Sequence, residues 1–304
     1  MKFISVQPDN LYFHWQVEVY LYNFIYKSNI DPKDIYVLFA TTSNIYSKRI
    51  DSIIEMYPGV NILMYPDTRE TPFYYISSIR PHILSKFFKD KPELLDEWFF
   101  YHDSDILFTK NFSFNFEDIK SNVYLSNTRS YIGYDYIKSK GIEQMKSMLD
   151  IVGITEEKVI SNDLNSGGAQ YVFSGLDSNF WDKVYKDSEN LFKYLKLNNT
   201  EEKNPIQFWC SDMWSLLWNV ILFNKTPIID NQLDFCFATD KYDKINNVMI
   251  YHNAGVLKND NGIFYKGSFI SKEPYFEDFQ LYSPIYTSYY YVQNIYDFLN
   301  NTKI

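Results

Sequence analysis

Between Trp98 and Phe108 the chain reads Trp-Phe-Phe-Tyr-His-Asp-Ser-Asp-Ile-Leu-Phe: an aromatic run, two acids one residue apart, then a second apolar run. A run of this kind folds readily as a buried strand, in which residues i and i+2 point the same way. If the strand ends at His102 and the chain then turns, Asp103 and Asp105 converge on one point at the mouth of a buried sheet. Two carboxylates there are costly to desolvate unless a cation or a hydrogen-bond network compensates them. Hard divalent ions such as Mg²⁺ and Mn²⁺ take carboxylate oxygens, with phosphate and water completing the shell. The same triplet also occurs by chance as a solvated turn.

The first hundred residues alternate short apolar runs with longer helical patterns. Strands are expected at Lys2–Gln7, Ile35–Ala40, Asn61–Tyr65 and Glu97–Tyr101, and helices at Phe13–Tyr26, Asn44–Met56 and Tyr75–Phe88. This alternation predicts an α/β fold, with a mostly parallel central sheet flanked by helices. Ligands of such sheets sit beyond the carboxyl ends of the strands. Asp103 and Asp105 lie at one such end, and Gln7 at another, where it is expected to help wall in a nucleoside.

The C-terminal half is less regular. Short strands are expected at Asn122–Ser126, Ala169–Phe173 and Val248–Tyr251. Helices are expected at Ser130–Gly153 with a break at Gly141, at Ser178–Tyr194, at Ser211–Phe223 with Ser211 as N-cap, and within Tyr282–Leu299. Lys196–Pro205 reads as an exposed polar loop. No repeat and no linker is visible, so a single domain over 1–304 is expected. It would comprise a nucleotide-binding half (1–110), an acceptor and catalytic half (111–270) and a C-terminal packing segment (271–304).

Composition narrows the function. The net charge of −9 disfavours affinity based on neutralising a nucleic-acid backbone. Aromatic residues make up 19% of the chain, so many rings are expected to lie partly exposed, where they can stack on sugars or bases. The two cysteines, Cys210 and Cys236, suggest neither a disulfide framework nor a zinc site and fit a reducing compartment. Met1–Gln7 is too short an apolar run for a secretory leader, and no run approaches a membrane span. A cytoplasmic setting, in a bacterium or a virus-infected host cell, is the expectation.

Further residues carry chemistry. His252 follows a short apolar strand, where a neutral imidazole makes a suitable third ligand for Mn²⁺ beside two carboxylates. In the run after it, Gly255 would let the backbone approach a phosphate, and Lys258 would neutralise a diphosphate, as would Lys266. Asn165 opens the turn Asn165-Ser166-Gly167-Gly168, a candidate surface for sugar or acceptor. Asp212 sits in an aromatic setting at a helix start, where it could deprotonate an acceptor hydroxyl, with Trp209 and Trp214 as a sugar platform. Arg80 could contact phosphate or a donor sugar. No phosphate-binding glycine loop, nucleophile elbow or zinc-protease motif is present.

The order Asp103-Ser104-Asp105, Asn165-Ser166-Gly167, Asp212, His252-Asn253-Ala254-Gly255-Val256-Leu257-Lys258 resembles that of GT-A glycosyltransferases over residues 1–270. The Asn-Ser-Gly turn and the His-x-x-Gly-x-x-Lys element look like the glycogenin and lipopolysaccharide galactosyltransferase group. That group's Pro-Trp after the Lys is Asn259-Asp260 here. Trp209–Met213 looks more like the plant peptidyl hydroxyproline arabinosyltransferases. The resemblance implies a hexosyl- or pentosyltransferase with Mn²⁺ or Mg²⁺ and a UDP-sugar donor. Its acceptor would be a glycan or another hydroxyl-bearing substrate. Three alternatives stand beside it: a phage-type enzyme acting on hydroxymethylated DNA bases, a non-catalytic carbohydrate-binding module on the same fold, and a metal-dependent nucleotidyltransferase or phosphohydrolase.

Overall fold

The computed structural model describes residues 1–42, 45–70, 75–111, 113–198, 205–258 and 260–302. Its strands are β1 (Lys2–Pro8), β2 (Ile35–Thr41), β3 (Asn61–Pro66), β4 (Phe99–His102), β5 (Ile106–Phe108), β6 (Asn122–Asn127), β7 (Gly167–Phe173), β8 (Thr226–Ile229), β9 (Phe235–Phe237) and β10 (Ile250–His252). The chain forms two compact units, each assembled from separated stretches. The first takes Met1–Lys2, Tyr65–Tyr101 and Phe116–Asn231; the second takes Phe3–Met64, His102–Asn115 and Gln232–Ile304.

In the second unit, strands follow the order β3-β2-β1, and β1 runs parallel to β2 from Phe3 opposite Ile35 to Pro8 opposite Ala40. Both strands are almost continuously buried, as parallel strands covered on both faces are. The helix Leu11–Tyr22 starts at Asn10, whose side chain accepts the Phe13 amide. From His14 to Tyr22 every residue of this helix is buried, so it lies in the core rather than on the surface. It continues into a π-helical turn, Asn23–Lys27. Unit two also contains a small sheet in the order β5-β10-β9, of which β5 and β9 had no counterpart in the sequence reading. Three-residue strands carry too little periodicity to be distinguished from loop.

The first unit holds the order β4-β7-β6-β8. There β4 and β6 are both antiparallel to β7, and β8 is parallel to β6. Its core is aromatic: Trp181 stacks on Phe88 at 6.4 Å, and Phe99 on Phe173 at 5.8 Å. The α/β class holds, and the pairing is mixed rather than uniformly parallel, because β7 enters as an antiparallel partner.

Element boundaries moved where local chemistry overrode periodicity. The helix expected from Tyr75 begins at Ile79 after a 3₁₀ turn, so Pro81 falls in its first turn, where no amide hydrogen is needed. The segment expected as one broken helix is three: Arg129–Ile132, Tyr134–Ser139 and Ile142–Val152. Cys210, not Ser211, is the N-cap of Ser211–Leu222, and the Ser211 hydroxyl donates to the Phe208 carbonyl. The helix Ser178–Asn198 overruns the start of the expected Lys196–Pro205 loop, of which 199–204 lie outside the described residues. The expected helix start at Asn44 also lies outside them; the helix observed there is Lys48–Met56. No helix among the described residues is long and apolar enough to cross a membrane.

One fully buried charge anchors the second unit. The Glu18 carboxylate receives both arms of Arg49, at 2.6 and 2.8 Å, and the Tyr275 hydroxyl. Removing one partner of such a pair strands the other in a low-dielectric setting. Arg49→Met, which leaves the enclosed Glu18 carboxylate without its cation, should lower unfolding free energy by about 3 kcal/mol, and adding Glu18→Leu should restore a large part of it. Urea denaturation of the single and double variants measures both.

Candidate metal centre

The second unit brings Asp103, Asp105 and His252 together. One ligand atom from each lies within 4.8 Å of the others. The mechanism is local and precise in register. β4 ends at His102, Ser104 and Asp105 form a turn, and β5 begins at Ile106. β10 then pairs antiparallel with β5, His252 opposite Ile106, and the Asn253 amide donates to the Asp105 carbonyl at 2.9 Å. His252 Nε2 thereby faces Asp105 Oδ1 at 3.4 Å and Asp103 Oδ2 at 3.6 Å. The other edge of β5 is held by a side chain: Asn23, in the π-helical turn, donates to the Phe108 carbonyl and accepts its amide. π-helical turns are enriched near functional sites, where an extra residue re-aims a side chain.

Asp105 is 3% exposed. Burial alone would raise its pKa, but the Lys266 ammonium bound to its Oδ2 and the His252 ring outweigh that and hold the carboxyl well below the usual range. Burial works against the charge of Lys266, and Asp105 with Tyr12 and Asp103 overrides it, keeping the ammonium protonated. Lys266, expected from the sequence to contact a diphosphate, pairs here with Asp105.

His102 is enclosed against Tyr20 and Phe24, and its Nδ1–H donates to the Asp103 carbonyl at 2.8 Å. It is a strut for the backbone of Asp103. In the sequence His102 is marked only as the end of a strand.

The other sequence candidates fall in several places. Gln7 is buried and its amide donates to the Leu38 carbonyl across to β2. Gly255 lies exposed at a φ of +85°, so its glycine is required by backbone conformation; a Cβ there would meet nothing nearer than 3.6 Å. Lys258 is exposed in the same segment. Asn165 belongs to the first unit, where its side-chain oxygen accepts the Ile229 amide at 3.1 Å and ties the turn to β8.

Asp212 and Arg80, singled out separately, meet each other in the first unit. Arg80 pairs with Asp212 Oδ2, and the Tyr75 hydroxyl donates to Oδ1 at 2.5 Å. Burial and the Asp212 carboxylate push the Tyr75 phenol well up, so it remains a donor. Of the two flanking tryptophans only Trp209 is exposed; Trp214 is enclosed and donates to the Ile132 carbonyl. A two-tryptophan platform therefore does not form. Both cysteines are free and buried.

No family model and no curated protein sequence matches this chain. Among solved structures it is similar to the apo structure of the bifunctional glycosyltransferase WbbM, with 10% identity and a TM-score of 0.49, covering 100% of this chain and 50% of that one. The chain thus spans half the length of that protein. It is also similar to the galactosyltransferase LgtC in complex with donor and acceptor sugar analogues, with 11% identity and a TM-score of 0.46, covering 100% of this chain and 98% of that one. A third similarity is to mouse xyloside xylosyltransferase 1, with 9% identity and a TM-score of 0.45, covering 83% and 97%.

Burial pushes the His102 pKa down to about 4, against about 6.5 for an unfolded histidine. The unfolded chain therefore takes up this proton first. Its contribution to stability is complete above about pH 6.5 and is lost as pH falls towards 4, by up to about 3 kcal/mol. The half-buried His82, also pushed down to about 4, acts in the same direction. Urea midpoints measured across that window should fall, and His102→Phe should shrink the fall.

Proposed function

We propose that this protein is a metal-dependent glycosyltransferase that moves a hexosyl or pentosyl group from a UDP-sugar to a hydroxyl acceptor. The observation that carries the reading is the convergence of Asp103, Asp105 and His252 from separate parts of the sequence onto one point. Two carboxylates and an imidazole are a donor set suited to Mn²⁺, and to Mg²⁺ if phosphate and water complete the shell. The ionised state of Asp105 and the inward-facing Nε2 of His252 fit the same ion.

In this reading Asp103, Asp105 and His252 would hold the dication, which would supply Lewis acidity towards a departing diphosphate. Lys266 supplies a second positive charge beside the same group, where charge develops as the glycosidic bond breaks. His102 keeps the Asp103 backbone in place, and Asn23 keeps β5 in register. Asp212, clamped by Arg80 and Tyr75, is the proposed acceptor-side carboxylate: it accepts hydrogen bonds from acceptor or sugar hydroxyls and, if placed in line, the acceptor's proton. The acceptor is a glycan or another hydroxyl-bearing molecule. A cytoplasmic setting is part of the proposal, and the two buried free thiols agree with it.

Calorimetric titration with uridine diphosphate, with and without Mn²⁺, tests the reading directly. Binding should require the metal, and Asp105→Asn should abolish metal-dependent binding while cooperative melting persists. Undiminished Mn²⁺-dependent binding in that variant overturns the site. Product analysis should show intact nucleoside diphosphate; release of monophosphate or pyrophosphate would instead support the phosphohydrolase or nucleotidyltransferase class. Asp212→Asn should cut transfer on the order of 10²-fold with donor affinity nearly unchanged, and normal turnover would remove Asp212 from the mechanism.

A further inference from the structure

From the placement of Lys266 against Asp105 we infer that Lys266 is a resident counter-ion of the Asp103–Asp105–His252 cluster, and that it makes divalent-metal binding conditional on a diphosphate ligand. The inference rests on the metal reading above and adds an order to it.

The geometry is specific. Lys266 Nζ is bound to Asp105 Oδ2, while Oδ1 of the same carboxylate faces His252 Nε2. The ammonium therefore already engages the carboxylate that the dication would use. The turn that delivers it, Lys266–Phe269, is fixed on the core: Phe264 and Phe269 are buried against Trp15, whose ring N–H donates to the Phe269 carbonyl at 3.1 Å. Gly267 leaves room for the ring of Tyr265, which a Cβ there would meet at 2.3 Å. Lys266 is thus held at Asp105 by construction. Its side chain keeps 28% exposure against 5% for Asp105, so the lysine is more open to solvent than the carboxylate it holds.

Charge supplies the coupling. The Asp103 and Asp105 carboxylates and the Lys266 ammonium together leave one net negative charge. A dication reverses that sign and sets two cations side by side around a buried carboxylate, which is unfavourable in a medium of low dielectric. A diphosphate offsets both, accepting from the ammonium and from the metal together. Lys is suited to this exchange because its charge is compact and its flexible stem can re-aim three donors. Metal and diphosphate then raise each other's affinity by the same factor, as linkage requires.

Mn²⁺ binding to the full chain, followed through the paramagnetic resonance signal of the free ion, tests the inference without any turnover. Three proteins are compared, wild type, Lys266→Met and Lys266→Arg, each with and without saturating uridine diphosphate. The expected result is that Lys266→Met binds Mn²⁺ alone at least about tenfold tighter than wild type. Its gain on adding the nucleotide should be smaller, and Lys266→Arg should stay close to wild type. Equal or weaker binding of Mn²⁺ alone by Lys266→Met overturns the counter-ion role while leaving the metal site intact. Absence of Mn²⁺ binding in all three proteins, even with nucleotide, overturns the metal reading itself. If Lys266→Met does not melt cooperatively, Lys266→Gln, which keeps a polar end at Asp105, carries the same comparison.

Discussion

The three-residue strands β5 and β10 pair antiparallel, with His252 opposite Ile106 and the Asn253 amide on the Asp105 carbonyl. A side chain at a strand end is placed by the register of its ladder, and a slip of one residue would turn it to the other face. Asp105 and His252 are therefore held by the same set of backbone hydrogen bonds. Strands this short are marginal alone. β5 is secured on its second edge by the Asn23 amide, which is in turn bonded to Asn294 of the helix Ser288–Asn301. The Tyr290 hydroxyl adds a further bond to the Phe108 carbonyl. The C-terminal helix thus contributes to the candidate centre by holding the strand that holds the acids.

Electrostatics forms a second layer on that scaffold. A buried Asp105 without compensation would protonate and lose its use as a ligand. Lys266 and His252 keep it ionised, and the aromatic packing of Phe264, Phe269 and Trp15 keeps Lys266 where that is possible. The high aromatic content is thereby given a structural role: Tyr20 is enclosed against His102, and Trp15 and Tyr291 are enclosed against Phe264. The expectation of many partly exposed rings holds for others, such as Trp209 and Phe276.

The acid pair was legible because it interrupts an apolar run, and a strand end followed by a turn places alternate residues together whatever the rest of the fold does. His252 was legible for the same reason, as a ligand-type residue closing an apolar run. Arg80 and Asp212 were each visible as charges in unusual settings, but not as partners, since 132 residues separate them and only packing in the first unit joins them. Gln7 and Asn165 read as site residues because polar residues near strand ends and turns often are. In the fold the Gln7 side-chain amide donates to, and the Asn165 side-chain oxygen accepts from, the backbone of strands remote in sequence.

By itself the sequence determined the α/β alternation, the Asp103–Asp105 turn, the candidacy of His252 and the acidic balance, all of which follow from local periodicity and composition. Tertiary structure decided which of the candidate residues share a point in space, that β7 pairs antiparallel, and that Lys266 belongs to Asp105. The physical reason is range. Periodicity reports which face of an element is buried, whereas register, ion pairing and the enclosure of a charge arise between segments far apart in the sequence, 161 residues for Lys266 and Asp105. Their energies exist only once those segments are packed.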